Sequence, residues 1–276
     1  MAEKAHGERP ASGGRSLHGS RAVITGAASG IGRAIAAELS VRGATVWLAD
    51  IDGSRADEAA RAIGGRARSA AVDVTERGAL EALAERVFEA EGRVDVLVAN
   101  AGVSTMNRFL DLSDEEWDRT FAVNTRGTFL TIQTFARRMV HQPVLEGTQI
   151  RGKVIATASM AARLAAPLLV HYSASKFAVV GLVQAAAKEL ARYGVTVNGV
   201  NPGYVRTDMQ RREVVWEAEL RGIDEEAVIR EYVGQTPLGR LQEPEDVARV
   251  VAFLASRDAD FITGEIVEVN GGALTT

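Results

Sequence analysis

Cysteine is absent from the 276 residues. That excludes disulfide staples, thiolate nucleophiles and cysteine-ligated zinc, and it suits a reducing compartment, so a cytoplasmic setting is expected. Histidine is scarce: His6, His18, His141 and His171 stand at no metal-ligand spacing, and no metal-dependent chemistry is expected. No run of about 18 uninterrupted apolar residues occurs, so no membrane-spanning segment is expected. Positive charge is not in excess either. Thirty-two Lys and Arg against 36 Asp and Glu give a net charge of −4, which advertises no surface to nucleic acid or anionic lipid.

No compositional break and no repeat of solenoid period divides the chain, and a 46% hydrophobic content is enough for one sizeable core. Residues 1–17 are rich in Gly, Ser, Ala and charge and lack the continuous apolar core of a signal peptide. They are expected to form a disordered tail, which leaves 18–276 as a single domain.

What the chain does have is a glycine-rich turn. Thr25-Gly26-Ala27-Ala28-Ser29-Gly30-Ile31-Gly32 follows the apolar run Ala22-Val23-Ile24 and opens into the helix-like Arg33-Ala34-Ile35-Ala36-Ala37-Glu38-Leu39. Gly26 can take a turn's dihedrals, Gly30 admits a ligand close to backbone, and Gly32 lets helix pack tightly on strand. The unpaired N–H groups and positive dipole end of that helix suit an anionic pyrophosphate. Glycines also close turns for purely structural reasons, so context matters. The next apolar run, Ala44 to Ala49, ends on Asp50, 18 residues after Gly32. This is close to the roughly 20-residue spacing at which an acid meets an adenosine ribose. A solvated acid at a strand end is the less favoured alternative.

Along the rest of the chain, strand, turn and helix alternate. Ser54 can cap a helix through about Ile63, Arg68 to Val72 reads as a strand ending on Asp73, and Thr75 can cap a helix to about Glu91. Val94 to Ala99 is a nearly continuous apolar run, as expected of a strand covered on both faces, and stops at Asn100-Ala101-Gly102. Ser113 with Asp114, Glu115 and Glu116 starts a helix that continues past Asn124 to about Val140, with Phe129, Ile132, Ala136 and Met139 on one face. Residues 141–151 read as a surface loop, Lys153 to Ala158 as a fifth strand, Tyr172 to Arg192 as a long helix and Val195 to Val200 as a sixth strand. Pro244 to Leu254 is the last helix and Ile266 to Val269 the last strand. Such alternation implies parallel strands joined by right-handed helical crossovers, an α/β fold with helices on both faces.

The chemistry-bearing residues follow this frame. Tyr172 and Lys176 stand four apart at a helix start, hence on one side, one turn apart. A free phenol titrates near 10, so a phenolate base at neutral pH needs nearby positive charge. Ser159 lies 13 residues before Tyr172, just past the fifth strand, where its hydroxyl would emerge at the carboxyl edge of the sheet. Asn124 sits inside a helix, where an amide is a poor helix former.

With Thr25-Gly26-x-x-x-Gly30-x-Gly32, Asp73-Val74, Asn100-Ala101-Gly102, Asn124, Ser159, Tyr172-x-x-x-Lys176 and Pro202-Gly203 with Thr207 in this order, the chain resembles the short-chain dehydrogenase/reductase family over about residues 18–274. One departure is Ala99, where the family usually has a further Asn bracing the central strand. The resemblance implies a doubly wound Rossmann fold with a seven-stranded parallel sheet of order 3-2-1-4-5-6-7 and a helical substrate lid over 206–236. It implies Tyr172 as general acid/base, Ser159 on the substrate oxygen, Lys176 on the nicotinamide ribose and lowering the phenol's pKa, and Asn124 holding a water in a proton relay. Asp73 and Val74 would contact adenine, Asn100 and Gly102 the adenosine side, and Thr207 the carboxamide. Ser29, Ile31, Ile51, Ala101, Pro202, Gly203 and Val205 would complete the dinucleotide site with the three glycines, Asp50, Tyr172 and Lys176.

Asp50 can accept hydrogen bonds from a ribose diol but would repel a 2′-phosphate, and Ala27, Ala28 and Ser29 offer no cation. NAD is therefore expected over NADP. Arg33 is the counter-argument unless it points away. The lid offers Met209, Val214, Val215, Trp216 and Tyr232 as apolar cover, with Arg211 and Arg212 on other faces, and resembles that of sugar-alcohol and vicinal-diol dehydrogenases more than that of carrier-protein ketoacyl reductases. A hydroxysteroid, a hydroxyacyl thioester or a xenobiotic ketone is also compatible with the family as substrate. A catalytically silent NAD-binding regulator on the same fold is a further reading, but such regulators usually lose the Tyr, Lys or Ser present here. His171 could face a polyol hydroxyl, although a surface position is the preferred reading. The resemblance also implies a homotetramer, with the Tyr172 and Asn124 helices and the C-terminal strand at contacts. Ala185-Ala186-Ala187 would allow close helix approach there, or else simply pack on the sheet.

Overall fold

In the computed structural model, which describes residues 16–275, seven short apolar runs pair as one parallel sheet. The strands are β1 (Arg21–Thr25), β2 (Thr45–Asp50), β3 (Ala67–Ala71), β4 (Val96–Ala99), β5 (Gly152–Thr157), β6 (Val195–Pro202) and β7 (Ile266–Val269), in the order β3-β2-β1-β4-β5-β6-β7. This is the expected doubly wound sheet. Register sets Ile24 opposite both Leu48 and Val98, so β1 is flanked by apolar neighbours on each side. With side chains alternating between faces, β1, β2, β4 and β5 are buried on both.

Helices cover both faces. On one, α3 (Arg77–Glu91), α5 (Thr128–Met139) and α6 (Val170–Leu190) bury Leu80, Leu83, Val87, Leu130, Phe135, Val179 and Val183. On the other, α1 (Gly30–Val41), α2 (Gly53–Ile63) and α9 (Pro244–Ala255) bury Ile35, Leu39, Ala59, Val247, Val251 and Leu254. A third cluster of Val214, Ala218, Val228, Tyr232 and Leu241 holds α7 (Asp208–Arg221) to α8 (Glu225–Gly234), and these two helices occupy the expected lid segment. Among the described residues no helix is long and apolar enough to cross a membrane.

Several local expectations are corrected. Asp52, not Ser54, caps α2 by accepting from the Arg55 N–H at 3.0 Å. Glu76 takes the N-cap position of α3, because the Thr75 hydroxyl is turned back to Asp73 at 2.7 Å. The Ser113 capping box is present, but its helix α4 (Asp114–Phe121) passes through a π-turn at Ala122–Gly127 before α5 begins. Phe129 does not share the buried face of Ile132, Ala136 and Met139 and stands 39% exposed, at the edge of that face of α5. Trp216 is half-buried and lies outside the lid cluster that Tyr232 joins. The expected tail lies outside the described residues except for Ser16 and Leu17, and Leu17 is buried in the core with its N–H on the Arg42 carbonyl at 3.0 Å.

Candidate active site

Strand order reverses between β1 and β4, so the connections leaving their carboxyl ends diverge and open a crevice. A cavity of about 1110 Å³ fills it. The glycine turn (Gly26, Ser29, Gly30, Ile31, Gly32), Asp50 and Ile51 after β2, Asp73 and Val74 after β3, and Asn100, Ala101 and Gly102 after β4 all line it. So do Ser159, Tyr172 and Lys176, and beyond β6 the residues Pro202, Gly203, Val205 and Thr207.

The turn has the form of an anion cradle. Gly26 has φ +65°, and a Cβ there would lie 2.7 Å from the Ala101 Cα. A Cβ on Gly32 would overlap the Gly26 carbonyl oxygen, so glycine alone lets α1 start this close to β1. Ser29 at the N-cap of α1 makes no side-chain capping bond and the first turn carries no acid, which leaves the first N–H groups free to meet an anion. Asp50 accepts from the Ala28 N–H at 2.9 Å and the Asp52 N–H at 3.1 Å. A carboxylate has about four acceptor sites, so it retains capacity for a diol. Arg33 is exposed and does not line the cavity. These residues fit a dinucleotide.

Farther along the crevice, α6 begins two residues before Tyr172, and its 3.6-residue period sets Lys176 one turn on, its Nζ 5.6 Å from the phenol ring centre. Lys176 Nζ donates to the Thr157 carbonyl at the end of β5 at 2.9 Å. Burial without an acidic partner lowers its pKa to about 8, which leaves it mainly protonated at neutral pH. Burial pushes the Tyr172 phenol up, the charge of Glu213 pushes it further, and the Ser159 hydroxyl beside it pulls the other way. Ser159 is held in place as its own N–H donates to Asn201 Oδ1 at 3.1 Å and its Oγ accepts from the Ala161 N–H at 3.1 Å. The segment before α6 is also fixed, with Leu168 at φ +65° and its carbonyl taking the Asn107 N–H at 3.0 Å.

Asn124 stands apart from the other expected residues. It is fully buried and does not line the cavity. Its Oδ1 accepts from the Val103 N–H at 2.8 Å, and its Nδ2 donates to the Val103 carbonyl at 2.9 Å and to Ser175 Oγ at 3.1 Å. The amide thus ties the loop after β4 to α6. A Cβ on Gly102 would lie 3.3 Å from Asn124 Oδ1 and 3.5 Å from Lys176 Nζ, so the three positions are neighbours even so. Asn100 lines the cavity, yet its amide donates to the Thr25 and Gly26 carbonyls at 3.0 and 3.1 Å.

His171 is not a surface residue. It is fully buried, its Nε2 shares a 2.8 Å hydrogen bond with Thr105 Oγ1, and burial lowers its pKa against the opposing charge of Glu116. Preceding Tyr172 in a helix, it points to a different side, into the loop after β4. The site also contains residues that the sequence did not single out: Thr157, Ser175, Asn201, and Glu213 on α7. Only strand-end position marked Thr157 and Asn201, and nothing local marked Glu213 within a charged helix.

Known proteins resemble the chain along most of its length. The family model described as enoyl-(acyl carrier protein) reductase matches residues 26–274. The chain is 38% identical over 267 residues to the (3R)-3-hydroxyacyl-CoA dehydrogenase of Homo sapiens, covering 93% of this chain and 96% of that protein. It is 37% identical over 265 residues to the L-2,3-butanediol dehydrogenase of Corynebacterium glutamicum, covering 92% and 98%. A 3-ketoacyl-(acyl-carrier-protein) reductase from Brucella melitensis, solved in complex with NADH, superposes with a TM-score of 0.81 at 30% identity over 94% of this chain and 99% of that one. The chain belongs to the short-chain dehydrogenase/reductase family. As a member it is an oxidoreductase of alcohol, ketone or hydroxyacyl substrates that uses a nicotinamide cofactor.

Proposed function

We propose that the protein is an NAD-dependent dehydrogenase of a secondary alcohol, a sugar alcohol or vicinal diol, with Tyr172 as acid/base. The observation that carries this reading is the meeting of Ser159, Tyr172 and Lys176 in the same crevice as the glycine cradle and Asp50. The bound dinucleotide supplies hydride acceptance and donation. Ser159 and Tyr172 hold the substrate oxygen between two hydroxyls. Tyr172 takes the alcohol proton as the carbonyl forms, and returns it in the reverse direction. Protonated Lys176 favours the phenolate, offsetting the burial and the Glu213 charge that disfavour it. Asn124 acts by fixing Val103 and Ser175, and so the spacing of the loop after β4 from α6.

The second reading is a hydroxyacyl thioester, favoured by the activity for which the human relative is named and by apolar cavity residues Met106, Leu164 and Met209. An initial-rate screen of the pure protein with pentitols, hexitols, butanediol stereoisomers and 3-hydroxyacyl thioesters, each with NAD⁺ and NADP⁺, decides between them. Strong NAD⁺-dependent turnover of one polyol or diol is expected. Turnover confined to thioesters would replace the first reading with the second.

A homotetramer in the cytoplasm belongs to this reading. Trp117 on α4, Phe129 on α5 and Phe177 on α6 are 38%, 39% and 46% exposed, an amount of bare aromatic surface that self-association would cover. Ala187 packs on the sheet while Ala185 stays exposed, so the alanine stretch serves both faces of α6. Light scattering at micromolar concentration should return four chains, and a monomer would refute the assembly.

A further inference from the structure

Two carboxyls stand four residues apart on α7, hence on one stripe of it, and both face the cavity: Glu213 and Glu217. Glu217 is already paired, with one oxygen accepting from the Tyr232 phenol and the other from the Arg221 guanidinium, Nη1 at 2.6 Å. Glu213 is not. Among the described residues no cation forms an ion pair with it. Its neighbour is the Ser104 hydroxyl, which is buried, has no hydrogen-bond partner of ordinary geometry and still lowers the carboxyl's pKa. Burial outweighs this and raises the Glu213 pKa to about 7. Its charge is close enough to Tyr172 to disfavour the phenolate.

A carboxylate with no paired cation in a half-buried wall of the cavity is less well solvated than in bulk water, and a ligand hydroxyl that donates to it offsets part of that cost. The Ser104 hydroxyl offers a single donor and Arg212, the preceding residue on α7, acts through its charge alone, so a carboxylate with about four acceptor sites keeps capacity toward the cavity it lines. Ser159 and Tyr172 hold one substrate oxygen, and Glu213 provides an acceptor for a second polar group nearby.

Resting on the dehydrogenase reading above, we propose that Glu213 accepts a hydrogen bond from a second hydroxyl of the substrate, so that the pocket selects an alcohol with a further hydroxyl near the reacting carbinol. A carboxylate or phosphate at that position is repelled, and a mono-alcohol leaves the acceptor bare.

The test compares kcat/KM for the best diol or polyol of the screen with that of its deoxy analogue, for instance 2,3-butanediol against 2-butanol, in wild type, Glu213→Leu and Glu213→Gln. Wild type should prefer the diol, and Glu213→Leu should lower the diol to mono-alcohol ratio about 10- to 100-fold. Glu213→Gln, which keeps an acceptor oxygen without the charge, should fall between and remains informative if the leucine variant does not fold. Because the readout is a ratio, a general loss of activity does not imitate the result. A ratio unchanged in both variants, with wild type still preferring the diol, overturns the role of Glu213 and leaves the diol reading standing. A wild type that turns over thioesters and no diol or polyol overturns both.

Discussion

Replacing Tyr172 with phenylalanine is expected to cut turnover in both directions about 10²- to 10⁴-fold, while NADH still binds. The phenyl ring keeps the shape of the side chain at the start of α6, so the fold and Lys176 one turn later stay in place. What is lost is the proposed acid/base, and the Ser159 hydroxyl that remains has, among the described residues, no neighbouring cation of its own to favour giving up its proton. Dinucleotide binding, followed by NADH fluorescence, should weaken by no more than one hydrogen bond, about 1 kcal/mol. The pH profile supplies a second readout. Burial and the Glu213 charge hold the free protein's phenol protonated, so alcohol oxidation, which needs the base, should rise with pH, and ketone reduction, which needs the acid, should fall. The phenylalanine variant should lose both dependences. Turnover within tenfold of wild type, with the pH limbs intact, would remove Tyr172 from the acid/base role and give new weight to another proton carrier in the crevice.

The sheet was legible because its signal is redundant. Each strand is an apolar run closed by a polar or glycine stop, and the alternation with helices leaves few topologies open. The crevice residues were legible for a related reason: Gly26, Gly32, Asp50, Ser159 and Tyr172 each stand at a strand end or helix start, where position in sequence fixes position in space. What could not be read depends on packing between elements distant in the chain. The π-turn at Ala122–Gly127 is stabilised by what Asn124 meets, Val103 and Ser175, which lie 21 residues before and 51 after it. His171 was misplaced because its burial is set by the Thr105 loop and not by its neighbours on α6. Glu213 was one of many acids on a charged helix, and only the fold shows that its stripe turns inward while Glu217 is already paired.

Asp50→Asn is expected to collapse the preference for NAD⁺ over NADP⁺ by about 10²-fold, with the larger part of the change a gain for NADP⁺. The carboxylate lies at the end of β2, on the cavity wall, where the glycine turn supplies backbone N–H groups and no cation. A 2′-phosphate bound near it would add a charge of about −1.5 to −2. Two unit charges about 4 Å apart near a protein surface interact by about 4 kcal/mol before screening, and about two-thirds of that, ~2.7 kcal/mol, accounts for the predicted ratio. Asparagine keeps an oxygen to accept from the Ala28 or Asp52 N–H, so the turn should hold its shape and the effect should be electrostatic. It removes the repulsion without adding attraction, so near parity is the expected end point and not reversal. Reversal needs a cation, and Ile51, which is 72% exposed and lines the cavity, is the position to supply one as Ile51→Arg. The competing outcome is a wild type that already prefers NADP⁺. Arg55 would then be the responsible cation, since it lines the same cavity and its present partner, Asp208 at 3.5 Å, is a long and exposed contact that a phosphate would displace. In that case Arg55→Ala should depress NADP⁺ turnover and leave NAD⁺ turnover nearly unaffected, and the argument from Asp50 fails.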